Sequence, residues 1–369
     1  MRVMWLGTYD RAYPRPRVLI AGLREHGVEV VEHHRPVWEG RRDKTSGLRP
    51  LPLAASALRF AAAWGGLAVA GVRERPVDAV VAGYLAQPDV IPAWCVARAR
   101  RVPLVVDMMI SLADTLAGDR ALAGRAAAAA LAGIDRMSLR LADLVLADTT
   151  AGADWMAGRF GVRRGKIAVV PVGAEPERFP VAPGPAGPPH ALFYGKLAPL
   201  HGIATVLEAA RRPGVPPIRL IGEGQLAGWL EGELARERPP GLTWERWLPY
   251  ESLGAEVGAA AICLGVFGTS DKAARVVPNK VWQAMAAGRP VVTADTPGVR
   301  EVLEDGVSAL LVPAGDAGAL AGALVRLGSD PALRARIGAA GHAVYLRRGA
   351  PEAAASALLG ALTPLVSRR

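Results

Sequence analysis

Residues 265–301, GVFGTSDKAARVVPNKVWQAMAAGRPVVTADTPGVRE, carry the clearest indication of the fold. Its pattern predicts a loop of small residues after a strand, then a helix over 278–287 with proline at its start and glycine just beyond its end. A buried strand over 290–293 and a second glycine-bearing helix entrance over 295–301 follow. Strand, helix and strand in this order indicate a parallel sheet with helices packed on it.

Cationic side chains surround the start of the predicted helix, namely Lys272, Arg275 and Lys280. A helix N-terminus offers unpaired N–H groups and a partial positive charge, so this arrangement predicts a site for the phosphates of a ligand. Asn279 and Gln283 are one turn apart on one face, and Gln283 is expected to hydrogen-bond ribose hydroxyls. The alternative is a buried helix that carries exposed charges.

Short apolar runs alternate with helical segments along both halves of the chain, which predicts two parallel sheets covered on both faces. Strands are expected over 2–6, 28–32, 79–82, 104–107, 144–147 and 167–171, and again over 190–194, 219–222, 242–247, 261–265, 290–293 and 309–312.

The segment PERFPVAPGPAGPP, residues 176–189, is too rich in proline and glycine for a helix or strand and marks a domain boundary. We therefore predict an α/β fold of two Rossmann-like, doubly wound parallel-sheet domains, over 1–178 and 190–345, that face each other across a cleft. A helical tail over 346–369 is expected to cross back to the first domain.

Three further loops follow predicted strands, where ligands of such sheets bind. Lys196, within Gly-Lys-Leu at 195–197, precedes His-Gly at 201–202 and a helix, which predicts an anion site. Gly-Glu-Gly at 222–224 permits the close approach of a base or ribose. Gly-Thr-Tyr-Asp at 7–10 permits close approach of a ligand, but no dinucleotide fingerprint follows, which disfavours a dehydrogenase. Ordinary turns remain the alternative at each loop.

Composition narrows the classes of function. The 369 residues are 51% hydrophobic and 21% charged, with a net charge of +10. Nucleic acid, anionic lipid and phosphorylated small molecules all fit this charge, as does arginine-rich coding in a GC-rich genome. No basic run interleaved with aromatic residues appears, so no nucleic-acid partner is expected. The charge gives weak support to peripheral association with an anionic membrane.

The cysteines and the apolar segments bear on location. Cys95 and Cys263 show neither metal-site nor disulfide spacing, and two buried free thiols fit a reducing cytoplasm. The N-terminus lacks the apolar run of a signal peptide. The most apolar segment, 54–72, is expected to be a buried or interfacial helix. We expect a cytoplasmic protein that acts at the inner face of the membrane if its acceptor is a lipid.

The segment 265–301 resembles glycosyltransferase family 4, retaining enzymes with the two-domain GT-B fold. The resemblance extends to the loops at 196–202 and 222–224, and covers nearly the whole chain. It implies a nucleotide-sugar donor, UDP- or GDP-linked, and a glycan or lipid-linked acceptor. The implied donor-binding residues are Gly7, Lys196, His201, Gly222, Glu223, Lys272, Arg275, Asn279, Lys280, Gln283, Gly298, Val299 and Glu301.

The resemblance also implies a mechanism without a metal or other cofactor, in which lysines and helix N-termini neutralise the leaving diphosphate. Asp107 and Asp114 are the candidate catalytic residues, expected to orient the acceptor or the sugar, although a strand-end cap or a surface charge explains each equally well. Arg275 and Gln283 stand where the family usually has two glutamates, and His201 stands where it has a second lysine.

Two other functions stay open. A sugar-nucleotide epimerase or phosphorylase can share this architecture. The replaced glutamates also suit a non-catalytic nucleotide-sugar-binding protein.

Overall fold

The computed structural model describes residues 1–37, 50–121, 123–185 and 187–367. Contacts divide the chain into two compact units. The first comprises Met1–Ala117, Leu122–Pro171 and Pro351–Arg369, and the second comprises Gly118–Ala121 and Val172–Ala350. The second unit thus begins ahead of the proline-rich segment in which the sequence analysis places the boundary.

A six-stranded parallel sheet forms the first unit, in the order β2-β1-β3-β4-β5-β6. The strands are β1 (Arg2–Gly7), β2 (Glu29–His34), β3 (Ala79–Ala82), β4 (Leu104–Asp107), β5 (Leu144–Ala147) and β6 (Ile167–Val169), and the helices are α1 (Pro14–Glu25), α2 (Pro50–Arg73), α3 (Val90–Arg100), α4 (Arg125–Leu141) and α5 (Thr150–Phe160).

Burial on both faces explains why these strands are continuous apolar runs. In β1, Met4 and Leu6 pack into one core while Val3 and Trp5 pack into the core on the opposite face. Because every strand pair is parallel, the loops that follow the strands emerge at one edge of the sheet.

The second unit repeats the design with the strand order β12-β11-β10-β7-β8-β9. The strands are β7 (Ala191–Tyr194), β8 (Ile218–Ile221), β9 (Leu242–Glu245), β10 (Ile262–Leu264), β11 (Val291–Ala294) and β12 (Leu310–Val312), and the helices are α6 (Ile203–Ala210), α7 (Ala227–Arg236), α8 (Leu253–Ala259), α9 (Asn279–Ala286), α10 (Pro297–Arg300), α11 (Ala317–Ser329) and α12 (Pro331–Arg348).

The order of strands in this second sheet reverses between β7 and β10, which are neighbours although three helices separate them in sequence. Such a reversal leaves a crevice beyond the carboxyl ends of the two strands, where doubly wound sheets bind ligands. The loops after β7 and β10 therefore border the crevice in which a ligand is expected to bind.

The last helix, α13 (Pro351–Val366), belongs to the first unit, where it packs on α1. Its inner face is fully buried at Ala354, Ala355, Leu358 and Leu362. The helix comes so close to α1 that a Cβ at Gly22 would lie 1.9 Å from the carbonyl oxygen of Pro351.

Several element ends differ from the sequence expectation. Helix α4 begins at Arg125 rather than 121 because the backbone of Gly124 is extended. A 3-10 turn over Gln87–Asp89 precedes α3, which therefore begins at Val90 rather than 88. The helix expected from Val299 is the short α10.

The structure bears on two expectations about the apolar segment and the cysteines. The apolar segment 54–72 lies within α2, and no helix in the described part of the chain combines the length and apolar character needed to cross a membrane. The expectation of two buried thiols is wrong for Cys95, which is exposed, whereas Cys263 is buried.

Candidate active site

The loops after β7 and β10 touch each other backbone to backbone. The N–H of Phe267 donates to the carbonyl of His201 over 3.1 Å, and the N–H of Gly268 donates to that of Leu200 over 3.2 Å. A Cβ at Gly202 would lie 2.5 Å from the carbonyl carbon of Phe267, so only glycine fits there. The crevice between the two strands is thus framed by main chain on both sides.

The loop after β8 adds a third wall. A Cβ at Gly222 would lie 1.9 Å from the carbonyl oxygen of Gly195, and the N–H of Leu197 donates to the carbonyl of Glu223 over 3.1 Å. The Glu223 side chain is exposed and pairs with Arg246 at 3.4 Å. Gly222 therefore allows close contact between two loops, whereas the approach of a base or ribose, expected from the sequence, remains a prediction.

Lys280, in the first turn of α9, is the most unusual residue of this crevice. Only 5% of it is exposed, and its ammonium lies 3.7 Å from the centre of the Phe193 ring. Among the described residues the ammonium nitrogen has no hydrogen-bond partner. Burial lowers the pKa of Lys280 to about 7. A cation held this way keeps its three N–H donors available for an anion.

His201 lies beside Lys280 in the same crevice. Its Nδ1 contacts the carbonyl of Lys196, which requires that Nδ1 carries the proton and that Nε2 is an acceptor. Burial and the neighbouring Lys280 lower the pKa of His201 well below its ordinary value, so the ring is neutral at pH 7. Lys272 is buried on the same side and also lowers this pKa, whereas Lys196 is exposed.

Gln283, which was expected to hydrogen-bond a ribose, is enclosed by protein in this structure. It is 3% exposed, and both ends of its amide are occupied. Its Oε1 accepts from the Tyr194 hydroxyl at 2.9 Å, and its Nε2 donates to the Tyr250 hydroxyl at 3.1 Å. Tyr250 in turn donates to Glu175 at 2.6 Å. In this structure the amide is closed to a ribose, whereas Asn279, one turn earlier, is half-buried.

The second helix entrance, at α10, lies against the segment that leads to α9. A Cβ at Gly298 would lie 2.7 Å from the carbonyl carbon of Arg275. The Arg275 residue is half-buried. Val299 is fully buried, and its N–H donates to the Thr296 hydroxyl at 3.3 Å as a helix cap. Glu301 is half-buried, and its carbonyl accepts from an arginine of α12. Backbone packing and capping already explain Gly298 and Val299.

The candidates of the first unit form a separate group. Gly7 lies against Asp89, which accepts hydrogen bonds from the N–H of Thr8 at 2.6 Å and from Trp64 at 3.3 Å. Burial raises the pKa of Asp89 to about 6. No sequence pattern indicated Asp89, because its hydrogen bond with Thr8 joins positions 81 residues apart.

Asp107 is fully buried, and both of its oxygens lie 2.8 Å from Nε of Arg15, which is also fully buried. Arg15 also donates to the carbonyls of Val170 and Pro171. Full burial and the ion pair with Arg15 leave no exposed surface on this carboxylate. We therefore assign Asp107 a structural role in place of the catalytic role predicted for it.

Asp114 is half-buried and begins a short π-helix, Asp114–Asp119. Its N–H donates to the Ser111 hydroxyl at 3.0 Å, and that hydroxyl donates to Asp135 at 2.6 Å. The carboxylate of Asp135 also accepts the N–H groups of Leu112 and Ala113. Asp135 in α4 thus holds the loop after β4, which no sequence pattern indicated.

Two family models match the chain. One, described as "Glycosyl transferase 4-like domain", matches residues 10–173, and the other, "Glycosyl transferases group 1", matches residues 188–330. The chain belongs to glycosyltransferase family 4. The resemblance drawn from 265–301 and the strand-end loops is therefore confirmed.

Relatives of this glycosyltransferase include two bacterial proteins. Over 175 residues it is 31% identical to the amylovoran biosynthesis glycosyltransferase AmsK of Erwinia amylovora, covering 45% of this chain and 43% of that one. Over 183 residues it is 33% identical to the phosphatidyl-myo-inositol mannosyltransferase of Mycobacterium leprae, covering 47% of each. The matches thus span less than half the length of either relative.

A solved structure matches the glycosyltransferase over its full length. Anabaena HepE, crystallised in complex with UDP-glucose, has a TM-score of 0.66 at 16% identity, over 99% of this chain and all of that one. This likeness concerns the fold. Together with the two six-stranded parallel sheets, it confirms the predicted α/β fold of two Rossmann-like domains.

Proposed function

We propose that this glycosyltransferase moves a sugar from a nucleoside diphosphate sugar to an acceptor, and that the diphosphate binds beside Lys280. The observation that carries the proposal is the buried ammonium of Lys280, which has no hydrogen-bond partner among the described residues. It lies at the reversal point of the second sheet, where such sheets bind ligands. Burying a charge without a partner is costly, and a bound anion removes that cost.

The surroundings of Lys280 suit a diphosphate. The helices α6 and α9 both begin at this crevice, and each N-terminus contributes N–H donors and a partial positive charge. Lys196 and Lys272 add two charges near the same loops.

These cations fit a transfer that needs no metal. As the bond from the anomeric carbon to the diphosphate oxygen breaks, its electron pair leaves with the diphosphate, and the lysines stabilise the new charge. The acceptor hydroxyl attacks from the face that the diphosphate leaves and gives its proton to a diphosphate oxygen. The configuration at the anomeric carbon is retained, and no nucleophile from the protein is required.

The donor we propose is a UDP- or GDP-linked sugar, and the acceptor a glycan or a lipid-linked molecule. Support comes from HepE, which was crystallised with UDP-glucose, and from the names of AmsK, an amylovoran biosynthesis enzyme, and the phosphatidyl-myo-inositol mannosyltransferase. The HepE complex bears on the donor, the name of AmsK points to amylovoran biosynthesis, and the name of the mannosyltransferase points to a lipid acceptor.

The proposal is tested by measuring nucleoside diphosphate release from a panel of UDP- and GDP-linked sugars, with lipid and glycan acceptors. We expect release with at least one donor, loss of that release in Lys280→Met, and an α-linked product from an α-linked donor, read by NMR. The control is Lys166→Met, since Lys166 is a half-buried lysine that lies in the first unit.

The other outcomes identify the alternatives. Conversion of a nucleotide sugar without any acceptor would indicate an epimerase. Tight binding of a donor without turnover would indicate a non-catalytic binding protein. Equal release by the wild type and Lys280→Met would contradict the proposed site.

A further inference from the structure

The short segment Gly118–Ala121 belongs to the second unit, although the residues on either side of it in the sequence belong to the first. Nε2 of Gln225 holds it there by donating to the carbonyl of Arg120 over 2.9 Å. Gln225 lies in the loop after β8, and the next residue, Leu226, donates its N–H to the carbonyl of Leu197 over 2.9 Å. Arg120 is therefore tied to the loops that line the crevice beside α9.

The side chain of Arg120 is half-buried and carries an unused donor. Its Nε is buried and, within the ranges that the structure describes, has no hydrogen-bond partner. No carboxylate in those ranges forms a salt bridge with this guanidinium. A buried donor without a partner is costly, and a bound anion would remove that cost.

Arg120 and Lys280 lie around the same ring. Burial, Lys280 and Arg120 all lower the pKa of His201, as Lys272 also does, so these positive charges lie near the imidazole. The ammonium of Lys280 likewise has no hydrogen-bond partner among the described residues. Two cations with unused donors thus lie beside one neutral ring, and an anion with several oxygens can engage both.

We propose that Arg120 is a second cationic ligand of the diphosphate. This inference rests on the proposed function, because it takes the diphosphate to bind beside Lys280. A guanidinium offers donors in a planar fork that matches two phosphate oxygens, whereas an ammonium acts as a point charge. No sequence pattern indicated Arg120, because it lies far from the segment 265–301 and outside the predicted strand-end loops.

The test is a calorimetric titration of UDP into the full chain, as the wild type, Arg120→Gln and Arg120→Lys. We expect Arg120→Gln to bind UDP about tenfold more weakly, through the loss of charge-assisted hydrogen bonds. Arg120→Lys should fall between the two, because it keeps the charge and loses the fork. The salt dependence of binding should be shallower in Arg120→Gln, since one charged contact with phosphate is gone.

Two controls keep a folding defect apart from lost binding. Arg125→Gln changes the next arginine in the sequence, which is exposed and belongs to the first unit, and should bind UDP like the wild type. Without nucleotide, Arg120→Gln should melt at the wild-type temperature, because its Nε has no partner to lose within the described residues. With UDP, its melting temperature should rise less than that of the wild type.

The outcomes separate this inference from the proposed function. Equal affinity of the wild type and Arg120→Gln would overturn the role of Arg120, while a loss in Lys280→Met would leave the diphosphate site standing. Equal affinity of all three proteins would contradict both proposals. Weaker binding with a lower melting temperature in the absence of UDP would make Arg120 structural, and an unchanged salt dependence would place its side chain away from the phosphates. Either result would overturn the inference.

Discussion

At the scale of single residues, Lys280 is buried, and among the described residues its ammonium nitrogen has no hydrogen-bond partner. Its position at the start of a helix was predictable from 265–301. Its burial and its contact with the Phe193 ring were not, because a helical period gives the face of a residue and not what covers that face.

The lowered pKa of Lys280 makes a prediction for pH. The free protein loses this charge as pH rises through about 7. A bound diphosphate favours the charged form and raises the pKa, so binding takes up a proton above pH 7. We expect the affinity for UDP-glucose, measured by calorimetry, to fall by up to about tenfold per pH unit above neutrality. Lys280→Met should show a flat profile there, and a flat wild-type profile would contradict this account.

Gln283 tests the opposite case, a residue that was predicted to bind ligand and is found enclosed. Gln283→Leu leaves the hydroxyls of Tyr194 and Tyr250 without their amide partner, so it should lower the free energy of unfolding by about 1–3 kcal/mol. The affinity for UDP should stay within about threefold, since both ends of the amide already have partners within the protein.

Chemical denaturation and nucleotide titration of the same Gln283→Leu sample give both readouts. A stable variant that has lost UDP binding would contradict this expectation and would support the ribose contact that the sequence suggested for Gln283. Gln283 stands where the family usually has a glutamate. Its tyrosine partners come from β7 and from the turn before α8, and the spacing of residues in the sequence does not reveal such partners.

At the scale of elements, the buried pair of Arg15 and Asp107 joins α1 to the end of β4. Asp107→Asn leaves the Arg15 charge buried without a counter-ion, and should cost about 3–5 kcal/mol of stability. Asp114→Asn, half-buried in the loop that follows, should change stability by no more than about 0.5 kcal/mol. Thermal and urea unfolding of the two variants give the comparison. Equal and small effects would reopen a catalytic role for Asp107.

The strands were the easiest elements to predict. Strands β3, β4 and β5 begin and end as expected, because a strand buried on both faces is a short apolar run between polar residues. Helix starts were harder. The extended backbone of Gly124 and the 3-10 turn over Gln87–Asp89 decide where two helices start, and the residue types at these positions require neither conformation.

At the scale of the whole molecule, the C-terminal helix α13 is part of the core of the first unit. Leu358→Ala removes a fully buried side chain from this interface and should lower the stability of the first unit by about 2–5 kcal/mol. Leu346→Ala, in α12 and 54% exposed, is the matched control and should have little effect. Calorimetric unfolding distinguishes them, and equal transitions would place α13 outside the cooperative core.

The sequence sufficed for two repeated α/β sheets and for the family, since both follow from hydrophobic pattern and from one long motif. It did not suffice to predict which polar side chains hydrogen-bond to each other inside each unit. The pairs Thr8 with Asp89 and Ser111 with Asp135 join distant positions that carry no shared pattern. The loops that follow the strands were therefore predicted better than the side chains, such as Asp89 and Asp135, that hydrogen-bond to such loops.

The most direct test of the account is a calorimetric titration of UDP into the wild type, Lys280→Met and Lys166→Met at neutral pH. The account predicts binding to the wild type and to Lys166→Met, with a loss of about a hundredfold or more in Lys280→Met, as expected when a buried charge-assisted contact disappears. Equal affinity for all three proteins would contradict the claim that Lys280 holds the diphosphate.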